Sequence, residues 1–545
     1  MHVSAQLRPI SSTIPRLNSC AVSASRQEVQ PRFNAAEFFV DRHLQEGRGD
    51  CIAIECEQQR VTYTQLSERM NRFGLGLRDA LAVRMEERVL LLLPDIPEFA
   101  YCFFGAIKIG AVPVPVNTLL RSSEYEYFLR DTRARVAVVS ESLSQLLLEI
   151  PRERWSFLQH LIVVGTAPPG TISFADFLQS HNGPLSPALT CKDDTAFWLY
   201  SSGSTGFPKG CVHLQQSMVA ATEQYAANVL QIRQADRFFS TAKLFFAYGL
   251  GNGLYFPLAV GGTSILCPGP PSPQNVFSII EGHRPTLFFS GPSNLARLTE
   301  FRRDSGEFDL SSIRLAVSAG EALPAVVCQR FTKRFGIEVL DGIGSTEALH
   351  IFISNFPGDV RLGSSGRILP GCEARILNEQ GHPVPIGGIG TLWLKSEATC
   401  AAYWNRREQT KQTIQGHWIS TGDKFYQDED GFYWFAGRAD DMLKVSGVWV
   451  RPLEIECVLL EHEAVAEVAV VAHQDKDGLT KPVAWVVLRP GYEESPELVS
   501  TLLEFVMARL PSYKRPRKVR FISELPKTAT GKIRRFKLRQ NPVDF

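Results

Sequence analysis

The sequence holds almost no surplus charge: 58 Lys and Arg face 57 Asp and Glu, for a formal net charge of +1. That balance removes any electrostatic reason to expect DNA, RNA or an anionic membrane as a partner. Long apolar runs are missing too. The most apolar stretch, Phe99 to Val116, is broken by Gly105, Lys108, Gly110 and Pro113, so no membrane span is expected. The 11 cysteines are scattered singly, without any CxxC spacing. This pattern suits reduced thiols in a cytoplasmic protein better than a zinc site or a disulfide framework. No internal repeat at a solenoid period is visible, and no GxxxxGK[ST] phosphate loop is present.

What is there is ordinary globular text of considerable length. At 545 residues, 44% apolar and 21% charged, the chain is too long for one core. Residues 1–31 are rich in Ser and Arg and nearly free of acids, with Glu28 the exception. They read as a disordered extension, with an organellar transit peptide as the alternative that Pro9 and Pro15 disfavour. From about Phe33, helical patterns such as Thr64–Ala82 alternate with β-rich runs at Arg88–Leu93, Val136–Val139 and Leu161–Val164. That alternation predicts an α/β fold, a large N-terminal domain (32–437) of mainly parallel sheets covered by helices. Composition changes near Gly437–Asp441. A Pro-led helix from Pro452, strands at Val465–Ala472 and Val483–Leu488, a helix near Glu497–Leu510 and a basic tail predict a small α+β domain over 438–545.

Five segments carry chemistry. Tyr200 to Gly210 is a loop of small and hydroxylated residues, Ser202-Gly203-Ser204-Thr205-Gly206, followed by Lys209. Successive N–H groups, hydroxyls and one point charge make a phosphate-sized nest, although alone such a loop is more often a connector. Asp341-Gly342-Ile343-Gly344-Ser345-Thr346-Glu347 follows the β-like run Ile337–Leu340, where α/β sheets place ligands. It offers a hydroxyl for a phosphate and a carboxylate for Mg²⁺. Ser420-Thr421-Gly422-Asp423 presents an acid suited to ribose hydroxyls. Gly437-Arg438-Ala439-Asp440-Asp441-Met442-Leu443-Lys444 sits at the composition change, and Pro526 to Lys532 places a lysine after a glycine turn.

This ordered set resembles the adenylate-forming superfamily of acyl-CoA synthetases, adenylation domains and luciferases, over essentially everything from Phe33 to the end. The stretches Ala242–Asn252, Ser318–Pro324 and Gly344–Phe352 look like its benzoate–CoA ligase group. The resemblance implies that ATP, Mg²⁺ and coenzyme A are used and that the C-terminal domain is mobile. It implies that Ser202, Gly203, Ser204, Thr205, Gly206 and Lys209 hold the β- and γ-phosphates, and that Glu347 ligates Mg²⁺. Thr346 would contact the α-phosphate, Gly320, Glu321, Asp341 and Gly342 would line the adenine, and Asp423 and Arg438 would bind the ribose. Lys532 would bridge carboxylate and α-phosphate. Rotation about Asp440 would then withdraw it and bring Lys444, Ser446 and Gly447 toward the CoA thiol. For Lys532 the bland alternative is one more surface lysine; for Asp440, an exposed linker acid.

Amino-acid-activating relatives place an Asp near Ala247, and hydroxyaryl-activating ones an Asn. An alanine there disfavours an α-amino acid, because its ammonium would be buried unpaired. Phe246, Ala247, Tyr248, Gly344, His350 and Ile351 would form a flat, apolar slot for a benzene ring, although most of the 34 phenylalanines must be plain core. His350 either orients the carboxylate or is a satisfied buried histidine. The expected activity is adenylation of a small aromatic carboxylic acid (benzoate, 2-aminobenzoate or a hydroxybenzoate) and acyl transfer to CoA. The rivals are loading of a carrier-protein thiol, a non-catalytic acyl or nucleotide sensor, and, more distantly, a luciferase-like oxygenase. A homodimer is left open.

Overall fold

A computed structural model describes residues 29–201, 207–304, 306–438, 443–445, 448–475, 480–527 and 533–543, with backbone alone at 444, 445, 448, 449 and 513. Two large sheets organise the N-terminal part. One has five strands in the order Val112–Pro115, Arg88–Leu92, Val136–Ser140, His160–Val164 and Ile172–Ser173, every pair parallel. Its runs read as continuous hydrophobics because both faces are covered. Val89 and Leu91 pack into the central core with Val136 and Val138, while Leu90 and Leu92 face a second core with Ala137 and Val139.

The other sheet has nine strands, six of them parallel neighbours: Ile52–Cys56, Thr263–Leu266, Arg237–Ser240, Leu287–Ser290, Leu315–Ser318 and Val339–Gly344. Antiparallel strands close its edges: Gln59–Thr62 on one side, Ile351–Ser354 and then Arg367–Ile368 on the other. Alternation again splits the side chains. Phe238, Phe289, Val317 and Leu340 join the central core, and Phe239, Phe288, Ala316 and Val339 a third cluster. The helix Tyr63–Leu75 starts at a capping box in which Thr62 Oγ1 accepts the Gln65 N–H and Gln65 Oε1 accepts the Thr62 N–H.

Three features go beyond the sequence reading. The Asp341–Gly344 motif is not a loop after a strand: the strand Val339–Gly344 runs through it, because Gly342 and Gly344 pair with Ser354 and Ile351. The Ser- and Gly-rich segment connects an antiparallel pair, Thr195–Ser201 and Lys209–Leu214, extended by Ala402–Tyr403. A further antiparallel sheet of Glu373–Leu377, Gly390–Lys395, Ile414–Gln415, Trp418–Gln427 and Tyr433–Arg438 was not anticipated.

The C-terminal part is a sheet of Val465–Gln474, Thr480–Leu488 and Lys518–Phe521 packed by the helices Pro452–Glu461 and Pro496–Met507. It meets the N-terminal part through the Arg489–Glu300 ion pair (3.2 Å) and a bond from the Arg330 guanidinium to the Leu460 carbonyl (3.3 Å). Ile533 N–H also donates to Glu321 Oε1 at 3.1 Å. Among the described residues no helix is long and apolar enough to cross a membrane, and no group of three or more His, Cys, Asp or Glu could hold a metal. The ten described cysteines are free thiols.

Candidate active site

The site grows from the strand Val339–Gly344 and the tight turn that returns the chain to Ile351–Ser354. Leu349 sits in that turn at φ 64°, an unusual value for a branched residue and a mark of a conformation held by its surroundings. Gly344 is needed at the turn's entrance, since a Cβ there would lie 2.5 Å from the His350 carbonyl oxygen. Asp341 is 7% exposed. Its Oδ2 accepts a long bond from Leu323 N–H (3.5 Å), and Oδ1 has no partner among the described residues. Burial raises its pKa well above the usual carboxylate range. An orphaned buried acceptor of this kind fits the exocyclic amine of a purine. Gly320, at φ 95°, follows the neighbouring strand Leu315–Ser318 and leads to Glu321, where Ser293 Oγ donates to Glu321 Oε2 (3.4 Å).

Glu347 is the most firmly held acid of the site. Ser201 Oγ donates to its Oε1 at 2.9 Å and the Tyr403 hydroxyl donates to the same oxygen at 2.7 Å. The Glu347 carbonyl accepts Cys400 N–H (2.7 Å), and His213 Nε2 bonds the Thr346 carbonyl (2.9 Å). Lys209 lies opposite Ser201 in the hairpin register, its ammonium 4.2 Å from the Tyr403 ring centre. Burial first, then the Glu347 charge, pushes the Tyr403 hydroxyl pKa far up, so it stays a donor. One carboxylate oxygen is thereby fixed by two donors, and the Lys209 ammonium lies over the ring of one of them. Mg²⁺ is commonly held by one or two carboxylates together with substrate phosphate oxygens, so this donor set fits the ion without a dedicated protein cage.

Asp423 and Arg438 face each other across an antiparallel pair, 3.8 Å apart, with Gly422 at φ 74° bending the strand between the Thr421 and Asp423 side chains. Ser202, Gly203, Ser204, Thr205, Gly206, Asp440, Ser446, Gly447 and Lys532 lie outside the described residues, and Lys444 is described in backbone only, on the strand Leu443–Val445. The neighbour of Lys532 is described: the Ile533–Glu321 bond brings the C-terminal tail to the Asp341 edge of the site.

The acid slot is assembled by the short helix Ala247–Leu250, entered through Phe246. Asp95 accepts the Leu244 N–H at 3.0 Å, and Lys243 donates to the Cys267 and Gly269 carbonyls at 2.6 and 2.7 Å, pinning the approach. Burial raises Asp95 to about 6, despite Lys243 nearby. A Cβ on Gly249 would sit 2.1 Å from the Lys243 carbonyl oxygen, so only glycine fits there. Ala247, His350 and Ile351 are buried, and Tyr248 donates its hydroxyl to the Val317 carbonyl (3.1 Å). The His350 ring is 2% exposed and lies 4.5–5.6 Å from the rings of Phe256, Tyr225 and Tyr248. Neither ring nitrogen is satisfied; the Tyr248 backbone approaches outside hydrogen-bond geometry. Burial lowers its pKa to about 3, leaving a neutral imidazole with unmet bonding capacity. A satisfied core histidine is therefore not what the structure contains. Phe246 is half-buried, and its ring meets that of Phe245 at 4.4 Å.

Sequence reasoning missed Ser201, Tyr403 and His213. Ser201 stood at the edge of the quoted loop, but nothing local marks Tyr403, which reaches Glu347 from 56 residues away.

An adenylate-forming site of two parts, a nucleotide edge and an acid slot, is what these groups outline. The AMP-binding enzyme model matches residues 40–404, and the model of the AMP-binding enzyme C-terminal domain matches residues 454–532. The chain belongs to the AMP-binding enzyme family. It is 45% identical to the benzoate–CoA ligase of Thauera aromatica over 94% of this chain and 97% of that one. It is 40% identical to the 4-hydroxybenzoate–CoA/benzoate–CoA ligase of Rhodopseudomonas palustris, over 93% and 94%. Among solved structures, an anthranilate CoA ligase in complex with anthranoyl-AMP aligns with TM-score 0.90 and 42% identity, over 94% and 97% of the two chains. A benzoate CoA ligase from Burkholderia xenovorans aligns with TM-score 0.86 and 43% identity, over 93% and 100%.

Proposed function

We propose that the chain is an AMP-forming aryl-CoA ligase: ATP, a benzoate-type acid and CoA give aryl-CoA, AMP and pyrophosphate. The observation that carries this reading is a single turn. Glu347, anchored by Tyr403, whose ring also carries the Lys209 ammonium, and His350, buried with both nitrogens unmet against the Tyr248 ring, stand three residues apart. A triphosphate site and an aryl slot thus share one short segment.

In the first half-reaction a carboxylate oxygen attacks the α-phosphorus and the bond to pyrophosphate breaks. Charge grows on phosphoryl oxygens, so fixed cations and N–H donors supply most of the catalysis. In this reading Ser202–Gly206 and Lys209 hold the β- and γ-phosphates, Thr346 the α-phosphate, and Gly320, Glu321, Asp341 and Gly342 the adenine, with Asp423 and Arg438 on the ribose. Glu347 would hold Mg²⁺ there, and the ion would supply charge neutralisation on the leaving group. Lys532 draws carboxylate and phosphate together, and neutral His350 and Tyr248 orient the acid. In the second half-reaction the CoA thiol displaces AMP from the mixed anhydride; AMP leaves readily, so no strong base is needed. The chain divides at 437/438, with Asp440 as the hinge that exchanges Lys532 for the Lys444–Gly447 segment.

The test is mass-resolved chromatography of AMP and acyl-CoA from ATP, Mg²⁺, CoA and a panel of benzoates, cinnamates and short fatty acids. Aryl-CoA in step with AMP supports the reading, and the rank order names the acid. Pyrophosphate release without a CoA thioester would assign the acceptor to a carrier protein instead.

A further inference from the structure

A second constellation lies behind the Ser- and Gly-rich loop, outside every residue assigned a role so far. It is built on one face of the helix Ser122–Thr132, where Tyr127 and Asp131 stand one turn apart. Asp131 Oδ2 accepts the Tyr200 hydroxyl at 2.7 Å, on the strand that enters the loop. The Tyr127 hydroxyl donates to the Pro208 carbonyl at 2.6 Å, on the residue pair that leaves it. The Tyr127 ring stacks on Phe207, with centroids 4.7 Å apart and planes 15° from parallel. Arg406 closes the arrangement: its Nη2 donates to the Tyr127 hydroxyl (3.2 Å) and pairs with Asp131 Oδ1 (3.5 Å). Trp404 Nε1 donates to the Asp131 carbonyl (2.9 Å).

We propose that Tyr127, Asp131 and Arg406 form a clamp that positions the triphosphate loop; this rests on the reading of residues 202–206 as that loop. The contacts have the right placement for the task. They seize both stems of the loop, residue 200 before it and residues 207 and 208 after it, from a helix packed on the five-stranded sheet's core. They also reach Trp404, and with Arg406 they fasten the chain that follows the Tyr403 strand end, whose hydroxyl holds Glu347. One helix face therefore ties both described stems of the loop to the segment whose Tyr403 holds Glu347.

Phe207 supplies the second argument. It is 69% exposed, and an aromatic ring that far out of the core contributes little to folding. Its stack on Tyr127, a residue 8% exposed, instead fixes the backbone at the loop exit. A clamp on the loop stems acts on geometry and touches no reacting atom, so these three are positioning residues. A loop whose stems are already ordered binds a triphosphate without first losing the entropy of that ordering. Removing the clamp should therefore weaken nucleotide binding while leaving the acid slot and the thiol step alone.

The test uses the full chain with Tyr127→Phe, which keeps the stack and deletes two hydrogen bonds. Calorimetry with a non-hydrolysable ATP analogue should show affinity about three- to tenfold weaker, the scale of one or two lost hydrogen bonds. KM for benzoate, and aryl-CoA formation from supplied benzoyl-adenylate, should stay within about twofold. Asp131→Asn should weaken the same affinity, and Tyr127→Ala, which also loses the stack, more than Tyr127→Phe. Unchanged analogue affinity in Tyr127→Phe, or equal loss in both half-reactions, overturns the clamp. Should that variant not fold, Arg406→Gln carries the test with the same outcomes. A wild-type chain that binds the analogue yet makes no aryl-CoA would refute the ligase reading and leave the clamp standing.

Discussion

Replacing Tyr403 by phenylalanine tests the site at its most constrained point. The hydroxyl is buried and donates to Glu347 Oε1 at 2.7 Å, while the ring carries the Lys209 ammonium 4.2 Å above it. The substitution keeps the ring and deletes one bond to an ionised acceptor, which is worth about 1.5–3 kcal/mol. Ser201 still donates to the same oxygen, so Glu347 is not orphaned and the lower part of that range applies. A loss of about 1.5–2 kcal/mol is about ten- to thirtyfold in kcat/KM for ATP. Pyrophosphate exchange at several Mg²⁺ concentrations should show that loss together with a higher Mg²⁺ requirement. Thioester formation from supplied aryl-adenylate should change by less than about twofold, because pyrophosphate has already left. An unchanged Mg²⁺ dependence, or the same loss in both half-reactions, would refute the assignment of Glu347.

Three further outcomes are expected. Lys532→Ala should lose about 10²–10³ in adenylation and far less in thioester formation, read by separate assays of each half-reaction; equal losses would sink the exchange of conformations. Ala247→Leu should raise KM for benzoate about ten- to a hundredfold by overfilling a buried position, and an unaltered KM would locate the slot elsewhere. His213, buried with its pKa lowered to about 4, contributes stability that is present above pH 6.5 and lost as pH falls toward 4. Between pH 7.5 and 5 the wild type should thus lose about 2 kcal/mol more than His213→Gln in urea titrations, and parallel losses would contradict that neutral state.

The parts of the fold legible in the sequence were those with a local signature. The runs at Arg88 and Val136 are apolar on both faces, and such runs announce parallel strands. The antiparallel sheet containing Glu373–Leu377 has no buried residue in that strand and only alternating burial in Gly390–Lys395, so its hydrophobic signal is weak. Contiguous motifs likewise singled out Glu347, Asp341 and Asp423 as candidates. What they could not reveal is support from afar. Ser201 is 146 residues from Glu347, and Arg406 is 279 from Tyr127; only the tertiary fold joins them. The same holds for His350, whose two readings differed solely in whether its nitrogens find partners.

The seam between the two parts of the chain bears on how one site performs two reactions. The Arg489–Glu300 pair is partly exposed, the Arg330–Leu460 bond is long, and a cavity of about 350 Å³ lies between them, lined by Arg297, Phe301, Arg330, Leu460 and Arg489. Exposed pairs contribute about 0–1 kcal/mol, and a cavity forfeits dispersion contacts, so these polar contacts hold the seam weakly. In the proposed two-step cycle such weakness would suit a unit that leaves between half-reactions, since a tight seam would trap the arrangement in which Ile533 meets Glu321. Arg489→Ala should accordingly lower adenylation by no more than about fivefold and leave thioester formation from supplied aryl-adenylate equal or slightly faster. A large loss in the thioester step would mean that the Arg489 contact belongs to the second reaction, and the order of the two arrangements would reverse.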